Sequence, residues 1–414
     1  MAGDVRASLL KELHSIPPGW NWEWFTDVMD VDGGTQPPAS TFVDSPLAGY
    51  VRLVQIRDFE TDAHITYIPD SKKWRKCEVQ DVLIGRYGAA LGRICRGLSG
   101  AYNVALAKVV ISDRIDLDFA YQLLRSNYFQ VPLLAGGARS AQAGFNKSNL
   151  AVIPLPIPPL TEQKAIAAVL GALDDKIELN RRMNATLEAM ARALFQSWFV
   201  DFDPVRAKLD GRQPPNLDPA TAALFPNAFQ ESSLGSIPYG WRVVYLEDIA
   251  TVSSGKRPEG RCDVLSPECN VPLYGGGGRM GYVPSALHSN PILFTGRVGT
   301  LGLIFRTAEP SWPSDNTLIV EPQPGFFDYT YFALKGFDLI RLNRGSTQPL
   351  LTQTDLKRQE VILATEDVIK AFTAVSAPIF QQIVSNTQEN RILTAMRDML
   401  LPKLLSGELS IEIS

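Results

Sequence analysis

Leu13-His-Ser-Ile-Pro-Pro-Gly-Trp20 and Leu234-Gly-Ser-Ile-Pro-Tyr-Gly-Trp241 are two versions of one stretch. The echo continues in order along the chain. Asp81-Val-Leu-Ile-Gly-Arg-Tyr-Gly88 returns as Pro291-Ile-Leu-Phe-Thr-Gly-Arg-Val-Gly299, with one extra residue. Ser140-Ala-Gln142 returns as Ser346-Thr-Gln348, and Thr161-Glu-Gln163 as Thr365-Glu-Asp367. The offset drifts only from 221 to 204. A period this long is the duplication of a whole domain with its following helix, not a solenoid unit. Two like modules in fixed relation suit the reading of two like things at a fixed distance.

Working outward, residues 1–13 predict a short N-terminal helix (Ser8, Leu9, Leu10, Leu13), and 14–158 a mixed module. Tyr50–Ile56, Val82–Ile84 and Val104–Ile111 read as strands, Ala120–Tyr128 as a short helix. Pro154-Leu-Pro-Ile-Pro-Pro159 is extended and ends the module. Thr161 then suits an N-cap, and Glu162 the positive end of the helix dipole. The central helix, in the segment 159–203, is expected to run to about Val200, where Asp201-Phe-Asp-Pro204 stops it. Its apolar seam, Ile166, Leu170, Leu173, Ile177, Asn180, Asn184, Leu187, Ala191, Leu194 and Trp198, steps 4-3-4-3, the period of a supercoil. Some 40 residues at 1.5 Å each give about 60 Å, enough to hold two modules about one turn of DNA apart.

Residues 204–233, with Gly211-Arg-Gln-Pro-Pro-Asn216, read as a linker with little regular structure. A second mixed module spans 234–363, and 364–414 a second long helix. Its seam is Phe372, Ser376, Ile379, Ile383, Asn386, Asn390, Leu393, Arg397, Leu400 and Leu404. Pro378 is expected to kink it, and Pro402 with Gly407 to close it. Both seams carry two central asparagines. Buried Asn fixes register because its amide must find a polar partner. Antiparallel pairing predicts Asn180 against Asn390 and Asn184 against Asn386. The fold class is therefore α+β: two similar mixed modules separated by two long helices in an antiparallel coiled coil, with an internal pseudo-two-fold repeat.

The chain has 414 residues, a net charge of −4, 45% hydrophobic and 20% charged residues, ordinary values for a protein with buried cores. Four cysteines (Cys77, Cys95, Cys262, Cys269) form no CxxC, and three histidines offer no zinc set, so a reduced cytoplasmic protein without metal is expected. The start lacks an apolar signal region, and no apolar run looks long enough to cross a bilayer, so no membrane partner is expected. There is no GxxxxGK[ST], HExxH or GxSxG, and no Asn-Pro-Pro-aromatic motif of an adenine methyltransferase. No catalytic residue stands out. Val271-Pro-Leu-Tyr-Gly-Gly-Gly-Gly-Arg-Met-Gly-Tyr282 reads as a flexible turn that lets backbone approach a large partner.

The acidic total argues against nucleic acid, but its distribution does not. No acid falls between Asp81 and Asp113, between Asp118 and Glu162, or between Glu268 and Glu309. These acid-free stretches match between the copies; the basic cluster Lys72-Lys-Trp-Arg-Lys76 belongs to the first alone. Arg forks onto guanine edges and Asn or Gln onto adenine edges, while other cations meet phosphate. The first-copy candidates are Lys72, Lys73, Arg75, Arg86, Tyr87, Arg93, Arg139, Gln142, Asn146 and Lys147. Those of the second are Lys256, Arg257, Arg279, Arg297, Arg344, Thr347 and Gln348. Trp20 and Trp241 read as core anchors.

With these motifs the chain resembles the specificity subunit of a type I restriction–modification system. The resemblance rests on Ser-Ile-Pro-x-Gly-Trp at the head of each half, Pro154-Leu-Pro-Ile-Pro-Pro-Leu-Thr-Glu-Gln163 entering the central helix, and Leu194-Phe-Gln-Ser-Trp-Phe-Val-Asp-Phe-Asp-Pro-Val205 leaving it. Tyr274–Tyr282, Gly296–Gly302 and Ser314–Leu318 add to it. Val361-Ile-Leu-Ala-Thr365 departs from the Pro-rich lead in the second half. The resemblance implies two target-recognition domains, each reading half of a split, asymmetric site in double-stranded DNA. It implies two modification subunits, which bring S-adenosylmethionine, and restriction or translocase subunits, which bring ATP and Mg; the chain itself would hold no cofactor and catalyse nothing. A protein-only coiled-coil adaptor is the competing reading.

Overall fold

The computed structural model describes residues 15–137, 144–345 and 348–411; the helix expected over 1–13 lies outside them. The chain divides into two compact units, Met1–Leu179 with Glu389–Ser414, and Asn180–Gln388. Both boundaries cut a long helix, so each unit is one mixed module joined to part of the central helix, Leu160–Phe199, and part of the C-terminal helix, Glu366–Ser406.

In the first unit, strand Asn21–Trp24 pairs antiparallel with Pro154–Ile157, so the Pro-rich run is the closing strand of the module. Between them lie two four-stranded sheets. One orders Met29–Gly33, Leu106–Ile111, Leu83–Gly85 and Ile94–Cys95. The other orders Tyr67–Pro69, Tyr50–Val54, Gly100–Tyr102 and Lys76–Cys77, with Tyr50–Val54 parallel to Gly100–Tyr102. The expected helix at Ala120–Tyr128 is instead Leu117–Arg125, capped by Asp116, followed by Asn127–Gly137. The chain breaks at Ser126, whose hydroxyl turns back to the Leu123 carbonyl at 2.6 Å.

The second unit repeats this plan. Arg242–Tyr245 pairs with Glu360–Leu363 without the Pro-rich lead. Ala250–Ser254, Thr317–Pro322, Leu293–Gly296 and Ile304–Arg306 form one sheet. Gly278–Val283, Val271–Gly275 and Trp312–Pro313 form the other, again with one parallel pair. The first copy's extra strand, Lys76–Cys77, lies beside the basic cluster that only that copy contains.

Residues 204–233 are not an irregular linker. Phe202 takes a left-handed φ of 56°, Pro204 starts helix Asp203–Leu209, and Asp218 caps Pro219–Ala223. Lys208 donates to the carbonyls of Ala222 and Phe225, and Val205, Ala222 and Phe225 are buried. Phe229–Ser232 and Gly235–Pro238 then form a hairpin. Composition alone hid this because the buried apolar residues, Val205, Ala222 and Phe225 among them, are few and scattered.

Within each unit, seam residues of the two long helices pack together. In the first unit Ile166, Leu170, Leu404 and Leu405 share one core, and Asn390 donates to the Ile177 carbonyl at 3.3 Å. In the second, Phe195, Trp198 and Phe199 meet Phe372 edge to face. There Asn386 donates to Asn184 at 2.8 Å and receives Gln382 at 2.7 Å. The C-terminal helix continues through Pro378 and Pro402, and ends before Gly407, whose φ of 72° suits the terminus. By length and composition this helix could cross a membrane, with an 18-residue window of mean hydropathy 1.2; the sequence reading missed that run. Phe372 and Leu404 of that helix are instead buried in the protein cores.

Trp20 and Trp241 are core residues, as expected. The Trp20 indole also donates to Glu162 at 2.7 Å, tying the opening motif to the helix start. The neighbouring Gln163, almost fully buried, binds the Asp116 amide and the carbonyls of Arg114 and Pro158. The Thr-Glu-Gln motif thus locks module to helix. Among the cysteines, Cys262 and Cys269 form a disulfide, against the expectation of a fully reduced chain. Cys77 and Cys95 are free, and burial pushes both thiols up to about 11.

Candidate nucleic-acid interface

The repeated candidates Arg86 and Arg297 stand on turns that leave the first sheet of each module. Leu83–Gly85 and Leu293–Gly296 are equivalent strands, and Arg86 and Arg297 leave their C-terminal ends. The strand ends are glycine for a reason. A Cβ on Gly85 would lie 2.1 Å from the Ala90 carbonyl oxygen, and one on Gly296 1.8 Å from that of Thr300. Both turns therefore fold back on themselves with the Arg presented at the corner.

The turn is stitched to the following loop in both copies. Tyr87 bridges to Gly144 in the first, and Val298 to Leu350 in the second. These are the loops of Ser140-Ala-Gln142 and Ser346-Thr-Gln348. Arg139, Gln142 and Thr347 lie outside the described residues. Gln348 is exposed and near Gly299, whose amide donates to the Pro349 carbonyl at 3.0 Å. In each copy the turn that carries the Arg is thus tied to the chain that follows this repeat, and in the second copy that chain includes the exposed Gln348.

The remaining candidates sort by their partners. In the first module Arg86, Arg75 and Lys147 gather along the edge strand Met29–Gly33. Arg86 lies against Gly33 and over the Tyr87 ring, 5.0 Å from its centroid. Arg75 pairs with Asp32 at 3.3 Å, and Lys147 with Asp30 at 2.7 Å. The bond from Lys147 holds the Asp30 carboxyl below its ordinary range. All four partners are well exposed, and such pairs contribute little to stability, so these cations can exchange a carboxylate for a phosphate. Lys72 and Lys73 are exposed on a separate turn pinned by the Trp74 indole to the Pro69 carbonyl at 2.9 Å. Arg93 turns away to Glu60 at 2.5 Å.

Two candidates serve the fold. Asn146 caps helix Lys147–Leu150, its side-chain oxygen accepting from the Asn149 amide and the Ser148 hydroxyl. Arg344 grips the nearly buried Asp355 with two bonds, at 2.9 and 2.5 Å, and Asp355 in turn accepts from Thr352. Burial raises the Asp355 carboxyl, but the bonds from Thr352 and Arg344 outweigh it and hold it below its ordinary range.

In the second module Lys256 and Arg257 are exposed beyond Ala250–Ser254, with the Trp312 indole donating to the Lys256 carbonyl at 2.7 Å. Arg279 is exposed on the Gly278–Val283 strand, 5.4 Å from the Tyr282 centroid. The glycine run before it is a hairpin, not an open cradle. Gly276 packs on the Cα of Gly296, where a Cβ would come within 3.0 Å. The backbone does come close to something, but it is the protein's own Arg297 turn.

No group of His, Cys, Asp and Glu with metal-binding geometry occurs among the described residues. The family model described as "Type I restriction modification DNA specificity domain" matches residues 20–189 and 238–367. The chain is 27% identical to the HindI specificity subunit of Haemophilus influenzae, covering 74% of this chain and 81% of that protein. It is 23% identical to the MjaIX specificity subunit of Methanocaldococcus jannaschii, covering 97% and 96%. Its fold is similar to the crystal structure of the type I S subunit from M. genitalium, with a TM-score of 0.58 over 97% of this chain and 98% of that one, at 16% identity. The duplicated modules and the two matched segments coincide, and the chain belongs to the family of type I restriction–modification DNA specificity subunits.

Proposed function

We propose that this chain is the sequence-reading subunit of a type I complex and that each module reads one half of a bipartite, asymmetric site in duplex DNA. The observation that supports this is the repeated turn, in which Arg86 and Arg297 leave the ends of equivalent strands and the next residue of each, Tyr87 or Val298, bridges to Gly144 or Leu350. In this reading Arg86 and Arg297 face guanine edges, Gln142 and Gln348 adenine edges, and Lys72, Lys73, Arg75 and Lys147 face phosphates. Asn180, Asn184, Asn386 and Asn390 hold the helix register. The chain makes and breaks no bond. Two modification subunits supply S-adenosylmethionine and the methyl transfer, and any restriction subunit supplies ATP and Mg.

Replacing residues 14–158 with the equivalent module of a relative, then mapping methylated adenines, tests the modular reading. One half of the motif should change. A swap that altered both halves, or neither, would refute it. Gln348→Ala should relax a single base position by about 1–3 kcal/mol; a uniform loss over all sequences would assign Gln348 to phosphate. Methyl transfer by the isolated chain would overturn the non-catalytic assignment.

A further inference from the structure

The helix after the sheet carries the same constellation in both modules. In the first unit Arg96 donates to Asp118 at 2.5 Å and lies 4.6 Å from the centroid of the Tyr121 ring. Arg125 lies 4.8 Å from the same centroid and donates at 2.6 Å to Asp174 of the central helix. In the second unit Arg306 donates to Asp328 at 3.1 Å and lies 5.4 Å from the Tyr331 centroid. Lys335 lies 4.7 Å from that centroid and bonds to Glu188 of the central helix, which also accepts from the Tyr331 hydroxyl at 3.0 Å.

The C-terminal helix completes each clamp. Arg397 donates to Asp174 at 2.9 Å in the first unit. In the second, Ser376 donates to Asp328 at 2.7 Å and Phe380 lies 3.4 Å from Arg306. Asp174 and Glu188 stand 14 residues, two heptads, apart in the sequence of the central helix. The longer Arg meets the shorter Asp, and the shorter Lys meets the longer Glu. Burial would raise both carboxyls, yet the bonds they accept hold both below their ordinary range.

Apolar packing already holds each module on its helices, but it is non-directional. Charge-assisted bonds to a ring-stacked cation fix an angle. We propose that the Asp174 and Glu188 clamps are positioning sites for DNA reading: each sets the angle of its module on its own stretch of helix, and together they govern how strictly the spacing between half-sites is enforced. This rests on the DNA-reading function proposed above. It gives the helices and clamps a role in specificity at base pairs that no side chain contacts.

The test expresses the full chain with its modification subunits as wild type, Asp174→Asn or Glu188→Gln, and maps methylated adenines genome-wide. Both half-site sequences should stay unchanged in both variants. Methylation at spacers one base pair longer or shorter should rise by roughly tenfold or more over wild type, the ratio expected on losing a charge-assisted bond. An unchanged spacer preference, or complete loss of methylation in a variant that melts like wild type, would overturn the proposal. If a neutral variant fails to fold, Arg125→Lys keeps the charge but is too short for the Asp174 bond, and is read in the same way. A wild type that methylates no bipartite motif would instead refute the DNA-reading function itself.

Discussion

Asn184 and Asn386 offer a measurement in which the sign of the coupling is fixed by the structure. Asn386 is nearly buried and bonded on both sides, donating to Asn184 and accepting from Gln382. Asn184 in turn reaches Thr387 at 3.3 Å. Asn386→Ala strands the part-buried Asn184 oxygen, while the exposed Gln382 amide turns to water, and a stranded buried polar group costs about 1–3 kcal/mol. Asn184→Ala strands the Asn386 amide at similar cost. The double variant leaves no orphan within the pair, so it should be more stable than the sum of the singles predicts by about 0.5–3 kcal/mol. Urea unfolding of the four proteins, followed by the fluorescence of Trp198 in the same unit, gives the cycle. A further double variant, Asn184→Leu with Asn386→Leu, should unfold at higher urea than wild type while loosening helix register. Additive single effects would show that the two amides do not depend on each other, and the register role would fall with them.

Gly296→Ala should destabilise the second module by about 1–3 kcal/mol, because its Cβ would lie 1.8 Å from a backbone oxygen that no side-chain rotation can move; an unchanged melting temperature would contradict the turn geometry. The depressed Asp174 carboxyl contributes stability that is complete above the ordinary aspartate pKa near 4 and is lost as pH falls through its folded value. Asp174→Asn should therefore flatten the acid limb of the stability–pH curve, and a parallel limb would refute the assignment. Arg344→Ala should lower stability by about 1 kcal/mol, the exposed Arg side discounting the value, and leave base preference intact; a changed methylation motif would return Arg344 to the reading surface.

The duplication, the two long helices and their seams were legible in sequence because periodicity survives without knowledge of neighbours. The Pro-rich run and the Arg turns were legible because backbone restriction leaves its mark in residue type. Partners were not. Nothing about Arg344 in sequence distinguishes it from Arg297; only the fold brings Asp355 to Arg344. The linker misled for a related reason: Val205, Ala222 and Phe225 are too sparse to show a period, yet each is buried. The clamps were findable. Asp118, Tyr121 and Arg125 recur with the same spacing as Asp328, Tyr331 and Lys335, a repeat of polar residues inside helices otherwise read only for their apolar faces. A duplicated chain provides an internal control that a single domain lacks. Loop residues that differ between the copies, such as the first copy's Lys72 and Lys73, answer to no demand common to both modules. Polar residues that agree at equivalent positions, as Asp118, Tyr121 and Arg125 do with Asp328, Tyr331 and Lys335, answer to a demand both modules share, and the bonds of Arg125 and Lys335 lie where each module meets a long helix.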